Sequence, residues 1–406
     1  MVEKTVLVLG GGVGGLVASN ELRRRLGRGH RVVVLDRSAQ HLFSPSLPWV
    51  MVGWRRSQEI VRDLHRMVRP GVEVVRAEVL SVSPAEQKVM TGRGELGYDY
   101  LVVAMGAELA PEAVPGYVET AHNFYSLEGA ARLHRSLQVF GGGRVAVVVS
   151  ALPYKCPAAP YEAALLLHDF FRRHGLLGRV DLQVFTPEVL PMPVAGPRIG
   201  QAIKGMLEER GIGFHPNMHL KSVNQERREL EFQGGDRAGF DLLVAVPPHR
   251  PPPALSGSHL TNEAGWVPVD PRTLRTHYEN IYAIGDVASI TLPNGKALPK
   301  AGVFAHAEAI AVAHGIAAEV QGTDSETGFD GSGYCWIEMG GGIAGLASGD
   351  FYAKPEPVVK LRRPGRMWHW GRALFESYWM GGGLARMGSG WVLVLAGRLL
   401  KVPASI

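Results

Sequence analysis

The chain has 406 residues, 46% hydrophobic and 20% charged, with 51 glycines in no strict period. That is the composition of a globular protein with room for two or three domains, neither disordered nor collagen-like. Its two cysteines, Cys156 and Cys335, exclude a disulfide framework and a four-cysteine zinc or iron–sulfur site, so no metal centre is expected, and they permit one redox pair. A net charge of +5 leaves an anionic partner open: nucleic acid, a membrane surface or an acidic substrate.

Met1 leads almost directly into an apolar strand, without the basic stretch, apolar run and small-residue cleavage site of an export signal, so none is expected. The most apolar windows, at 145–149 and 391–396, fall far short of the ~18–20 residues that cross a bilayer. A strand at 5–9 is followed by the run from Gly10 to Gly15 and a helix through Arg25. Gly10 permits a tight turn, Gly12 lets backbone approach a pyrophosphate, Gly15 allows close helix-to-strand packing, and the helix N-terminus supplies amides and a positive dipole. A second strand at 31–35 ends at Asp36, 21 residues after Gly15, where an acid accepts a ribose hydroxyl. These features together predict a dinucleotide site.

Two later segments separate FAD from a nicotinamide. Residues 98–107 form an aspartate-led apolar strand that closes on the small-residue turn Ala104, Met105, Gly106, and residues 280–286 form a strand that ends in Gly285-Asp286. Both resemble further signatures of the two-dinucleotide-domain flavoproteins that include the disulfide reductases, and that resemblance implies that Asp286 bonds the flavin ribitol; otherwise it is a strand-end cap. Such proteins carry a second glycine turn for NAD(P)H. Here the strand 143–149 is followed by Ser-Ala-Leu-Pro-Tyr-Lys-Cys-Pro-Ala-Ala-Pro-Tyr-Glu, with no glycine and three prolines. Proline lacks the amide of a phosphate cradle, and side chains block close backbone approach, so NAD(P)H is not expected at this turn.

The segment Pro153-Tyr154-Lys155-Cys156-Pro157, followed by Pro160-Tyr161-Glu162, resembles the sulfide:quinone oxidoreductase and flavocytochrome c sulfide dehydrogenase family. The likeness extends to 43–53 with Pro45, to 247–250, to 298–305 with Lys300, Gly302, Val303 and Glu308 beyond it, and to 333–338 with Cys335. It implies that Cys156 and Cys335, 179 residues apart, face each other on one side of FAD. Hydrosulfide then opens a bridge between them, Cys156 carries the persulfide, Cys335 is the flavin-facing thiolate, and two electrons pass to FAD. The other reading of the pair is two inert thiols. Lys155 either lowers a thiol pKa or is a solvated surface lysine, and Glu162 either handles protons near the sulfur or is a helix-surface carboxylate. Tyr125 stands where many relatives have a third cysteine, which puts long polysulfide growth in doubt, and His122 is a weak proton-relay candidate. With two cysteines, covalent attachment would consume one of the pair, so FAD is expected to be noncovalent.

The last 57 residues hold nine Lys and Arg against three acids, a net of +6, which leaves −1 for the rest. Two amphipathic helices are predicted at about 366–379 and 384–402, with Trp, Met and Leu among the cations. That pattern fits monotopic attachment to a cell membrane, of unspecified face, or else a hairpin packed on the protein or an oligomer partner. By resemblance the same segment lines a quinone channel, with Phe351, Phe375 and Tyr378 as contacts. Nucleic acid is disfavoured, and a homo-oligomer is left open. The expected fold is α/β: an FAD-binding Rossmann-like domain over 1–115 and 265–320, a degenerate second one over 116–264 with Cys156, and a C-terminal amphipathic region over 321–406 with Cys335. The expected activity is oxidation of sulfide to sulfane sulfur or polysulfide, with electrons passed through FAD to a membrane quinone. Cytochrome c as acceptor, or an FAD-containing sulfur carrier without turnover, are the alternatives.

Overall fold

The computed structural model describes residues 2–324 and 328–400. The chain forms the expected α/β architecture of two parallel sheets with smaller sheets beside them, one of which, an antiparallel sheet here termed the third sheet, precedes the C-terminal helices.

The first sheet contains β1 (Thr5–Leu9), β2 (Arg31–Asp36), β3 (Val72–Arg76), β4 (Tyr100–Val103) and, from far along the chain, a strand at Ile281–Ala283. All pair in parallel, with β1 between β2 and β4, in registers such as Val6 with Val32 and Val6 with Tyr100. The four residues Val6 to Leu9 are almost fully buried, which is why β1 reads as an unbroken apolar run. Helix α1 (Val13–Arg25) leaves β1 through the glycine turn and packs along a long helix, Gly302–Gln321.

The second sheet is built from β5 (Gly143–Val149), β6 (Val180–Phe185), β7 (Gly213–His215) and β8 (Leu242–Val246), again parallel. Between β5 and β6 runs α2 (Ala159–Arg173), most of whose residues are buried. The Ile281–Ala283 strand is β9, and the Gly302–Gln321 helix is α3. The chain thus leaves the first sheet, completes the second, and returns. Although α3 is long and apolar enough to cross a bilayer, 56% of its apolar window is buried inside the protein, as in a core helix.

The third sheet went unpredicted: β10 (Ser332–Glu338), β11 (Ala344–Asp350) and β12 (Val358–Gly365) form an antiparallel meander. It is rich in glycine and in polar residues, so it gave no continuous apolar signal. Helices α4 (Arg366–Met380) and α5 (Gly383–Leu400) follow and pack on each other. They match the predicted pair to within a few residues; positions 401 and 402 of the second lie outside the described residues.

The glycine turn shows why the first site needs these residues. Gly10 has φ +105°, and a Cβ there would sit 2.4 Å from the Ala104 carbonyl oxygen. A Cβ on Gly15 would lie 1.8 Å from the Gly10 oxygen, whereas one on Gly12 would meet nothing within 4 Å. Gly15 therefore secures packing, and Gly12 keeps a wall open. We expect Gly15→Ala to destabilise the protein by about 1–3 kcal/mol through overpacking, and Gly12→Ala by less than about 1 kcal/mol; equal losses in urea unfolding would contradict this division.

Candidate active site: a dinucleotide cavity and a cysteine pair

A cavity of about 900 Å³ lies between the first sheet, the turn after β5 and the C-terminal region, near the upper end of the ~300–1,000 Å³ usual for cofactor sites. Gly10, Gly12 and Asp36 line one end, and Ala104 and Gly106 continue the wall. The starts of α1 and α3 both face it, the latter through Gly302 and Val303, so two helix N-termini offer amides and positive dipoles to an anionic ligand. Gly15 lies behind this wall, in its packing role.

Asp36 Oδ2 accepts the Gly11 amide at 2.6 Å and Oδ1 the Ser38 amide at 2.7 Å, which fixes the carboxylate at the cavity edge with lone pairs to spare for a ribose hydroxyl. Gly285, at φ +72°, donates its amide to Glu308 at 2.6 Å and turns Asp286 onto the wall. Burial pushes the Glu308 carboxyl up to about 8 and raises that of Asp286. Lys300, also on the wall, is pushed down to about 8 by burial, and its ammonium sits 3.5 Å from the centre of the Trp266 ring. These residues fit a dinucleotide.

Cys156 occupies the turn between β5 and α2 in a left-handed conformation, φ +57°, with its amide bonded to the Lys300 carbonyl at 2.7 Å. Cys335 projects from β10, and both cysteines line the cavity. Their side chains are close enough to interact as free thiols. The Cys335 S–H donates to the Trp336 carbonyl at 3.3 Å, and the interaction of the two thiols lowers the Cys156 pKa and raises that of Cys335 well above an ordinary thiol, where burial adds to the rise. In the reduced pair, therefore, the first thiol to ionise is Cys156; the flavin-facing role that the resemblance gave Cys335 belongs to the state with sulfur on Cys156.

The charged group beside the pair is Arg372, on α4. Its Nη1 donates to Glu162 Oε1 at 2.8 Å and lies 3.9 Å from Glu338 Oε1, while Nη2 donates to the Pro45 carbonyl at 2.6 Å. All three charged side chains are nearly or fully buried. Burial raises the Glu162 carboxyl to about 7 despite the guanidinium beside it. Glu162 is thus an interior carboxylate, and its reading as a helix-surface group is overturned. Lys155 also lines the cavity, half-buried, and its charge bears on Asp286 and His249; it is not a solvated surface lysine, and the cation acting on the thiols is Arg372. Sequence reasoning counted Arg372 as one of nine tail cations and missed Glu338. The signal available was their spacing from known elements: Glu338 lies three residues beyond Cys335, and Glu162 six beyond Cys156.

Of the three aromatic candidates only Phe375 reaches the cavity, flanked by Trp336 at 5.4 Å and Trp379 at 6.0 Å between ring centres. Phe351 is buried against Phe304, 5.0 Å away, and Tyr378 lies under the Arg386 guanidinium, so neither lines the cavity. Trp379 donates its indole N–H to His41 Nε2 at 2.9 Å, and His41 Nδ1 in turn donates to the Gly11 carbonyl at 2.9 Å. Indole is only a donor, which fixes the His41 tautomer.

A dinucleotide cavity beside two parallel sheets is the site of an oxidoreductase of the two-nucleotide-domain type. Residues 4–314 match the pyridine nucleotide-disulphide oxidoreductase family, and the chain belongs to that family; it is an oxidoreductase with a flavin cofactor. Among its relatives is a mitochondrial sulfide:quinone oxidoreductase from Mus musculus, 28% identical over 305 residues, a stretch covering 72% of this chain and 66% of that protein, just under two thirds of its length. A sulfide-quinone reductase from Aquifex aeolicus is 26% identical over 399 residues, covering 93% of this chain and 90% of that one. The X-ray structure of the sulfide:quinone oxidoreductase from Aquifex aeolicus superposes with a TM-score of 0.85 at 23% identity, covering 99% of this chain and 96% of that one, so the two share a fold.

Because the neighbouring Cys335 lowers the Cys156 pKa, removing its thiol should raise it. In the reduced holoprotein, the pH midpoint for alkylation of Cys156 is expected to move upward in Cys335→Ala. An unchanged or lower midpoint would show that the contact does not tune the thiol.

Proposed function

We propose that the chain oxidises sulfide to sulfane sulfur at the Cys156/Cys335 pair and passes the electrons through FAD to a quinone. The observation that carries this reading is the contact of two sequence-remote thiols on the wall of the dinucleotide cavity, at the turn where relatives that bind NAD(P)H need a phosphate cradle. The relatives named for sulfide and quinone support the same substrates.

Gly10, Gly12, Asp36, Gly106, Asp286 and the α3 start would hold FAD without a covalent bond. When bound, FAD supplies the two-electron acceptor that draws the pair back to its disulfide and delivers electrons to quinone.

The cycle starts from the Cys156–Cys335 disulfide. Hydrosulfide attacks Cys156 Sγ; a new S–S bond forms there, the inter-cysteine bond breaks, and its electron pair leaves on Cys335 as a thiolate. Arg372 stabilises that leaving charge, since its guanidinium and Cys335 attract each other. A second hydrosulfide takes the outer sulfur as a hydrodisulfide and leaves a Cys156 thiolate. Two hydrosulfides thus give one hydrodisulfide, one proton and two electrons. Glu162, near 7, is poised to accept and release that proton at neutral pH. Phe375, with Trp336 and Trp379, offers the quinone an aromatic wall.

Attachment to a membrane surface follows from the C-terminal hairpin. Trp370 and Trp391 are 69% and 75% exposed, Met367, Met387 and Leu395 are also exposed, and Arg366, Arg386 and Arg398 stand among them. Trp368, Trp379 and Arg372 face inward, so the outer surface is narrower than the tail's composition implies. This face fits an anionic lipid interface, with indoles at headgroup depth.

Anaerobic sulfide should bleach the flavin absorbance of the wild-type protein within seconds, and Cys156→Ser should abolish the bleaching; a wild-type flavin left oxidised by sulfide would sink the reading. Reoxidation should be fast with decylubiquinone and slow with cytochrome c, and the opposite order would assign the acceptor to a cytochrome. Deleting residues 381–406 should leave flavin bound while lowering co-sedimentation with anionic liposomes. Equal sedimentation of the truncated and full-length chains would exclude the hairpin as the anchor.

A further inference from the structure

Four tyrosines pack around the Cys156 turn or beside it, and three have hydrogen-bond partners. Tyr117 donates to the Ala245 carbonyl at 2.7 Å, and Tyr154 and Tyr161 both donate to Glu188. The fourth, Tyr125, is 7% exposed and its hydroxyl has none. The ring is held in place: it meets Phe124 at 5.0 Å and the edge of His249 at 5.3 Å, and the Tyr125 amide is bonded to Asn123 Oδ1 at 3.1 Å. A buried hydroxyl without a partner costs roughly 1–3 kcal/mol, and phenylalanine would avoid that cost in the same space.

Tyr125 lines the cavity together with Cys156. After burial, a charge on Cys156 is the strongest influence raising its pKa, so the phenol remains protonated and a donor. The two side chains are near each other without being hydrogen-bonded. An S–S bond is about 2 Å long, so a second sulfur lengthens the Cys156 side chain by that distance along the wall that both residues line.

We propose that the Tyr125 hydroxyl donates a hydrogen bond to the outer sulfur of a Cys156 persulfide, making Tyr125 the binding residue for the sulfur intermediate. This rests on the sulfide reading above. The bond exists only while that sulfur is present, which is why the hydroxyl has no partner beside the bare thiol. It forms and breaks no covalent bond; it stabilises the anion left when Cys156 accepts hydrosulfide and the proton departs. Hydrogen bonds to charged acceptors contribute about 1.5–3 kcal/mol, and removing one at the low end corresponds to about a tenfold loss of intermediate.

The test uses the oxidised holoprotein and Tyr125→Phe, each mixed anaerobically with one equivalent of hydrosulfide, trapped with iodoacetamide at intervals and read by peptide mass for one extra sulfur on Cys156. Flavin bleaching, flavin content and thermal melting are recorded in parallel. We expect the variant to keep its flavin and melt no lower than wild type, while its Cys156 persulfide falls about tenfold and bleaching by the first equivalent slows with it. Persulfide of equal amount and lifetime in the two proteins would overturn the assignment to Tyr125 and leave the sulfide reading standing. Loss of flavin from the variant would assign the hydroxyl to the cofactor and equally overturn it. Failure of wild-type protein to bleach or to gain sulfur on Cys156 would remove both the reading and the proposal.

Discussion

The architecture turns on one buried cation. Arg372 comes from the C-terminal helix α4 and places its guanidinium between Glu162 on α2 and Glu338 on β10. Each carboxylate is a few residues from one of the cysteines, so the ion pairs and the thiol contact fix the same geometry twice. Three charges out of water are expensive to assemble and more so to break, since removing one partner of a buried pair typically costs about 3–5 kcal/mol. Replacement of Arg372 by an apolar residue would leave two buried carboxylates side by side next to two thiols. The arrangement specifies how the second sheet, the antiparallel meander and α4 meet, and it does so at the redox pair.

The same cluster grades the local electrostatics. Without Arg372, Glu162 and Glu338 would both oppose any thiolate nearby; with it, Glu162 is held near 7 and the negative charge on Cys156 is tolerated. The asymmetry of the thiols has a different origin, their influence on each other, which lowers the Cys156 pKa and raises that of Cys335. Cys156 is therefore the readier nucleophile in the reduced pair.

What the sequence made legible was local. The first strand, glycine turn, helix and Asp36 lie within about thirty residues, and the spacing reveals Gly10 and Gly15, which have steric requirements there; the parallel sheets followed from apolar runs buried on both faces. The cysteine contact did not follow from spacing, because 179 residues separate the pair, and it came only through resemblance to a family. Arg372 was hidden for a related reason: its partner is 210 residues upstream, and among eight other tail cations it looked like a solvated charge. Phe351 and Tyr378 failed as cavity residues because an aromatic in a C-terminal segment carries no mark of which way it faces. The third sheet was missed because glycines, Cys335 and polar residues interrupt its short apolar runs, so neither alternation nor a continuous apolar stretch marks the strands.

The placement of Arg372 after both cysteines in the chain also bears on how the protein is made. Synthesis proceeds from the N-terminus, so both cysteines leave the ribosome well before the residue that organises them. A nascent or interrupted chain ending before α4 contains the glycine turn and the two thiols but lacks the guanidinium between Glu162 and Glu338, and it also lacks the Trp379 indole that reaches His41 and, through it, the Gly11 carbonyl. Both thiols and their two carboxylates thus precede in the chain the cation that joins them, so the cluster is complete only once α4 has docked.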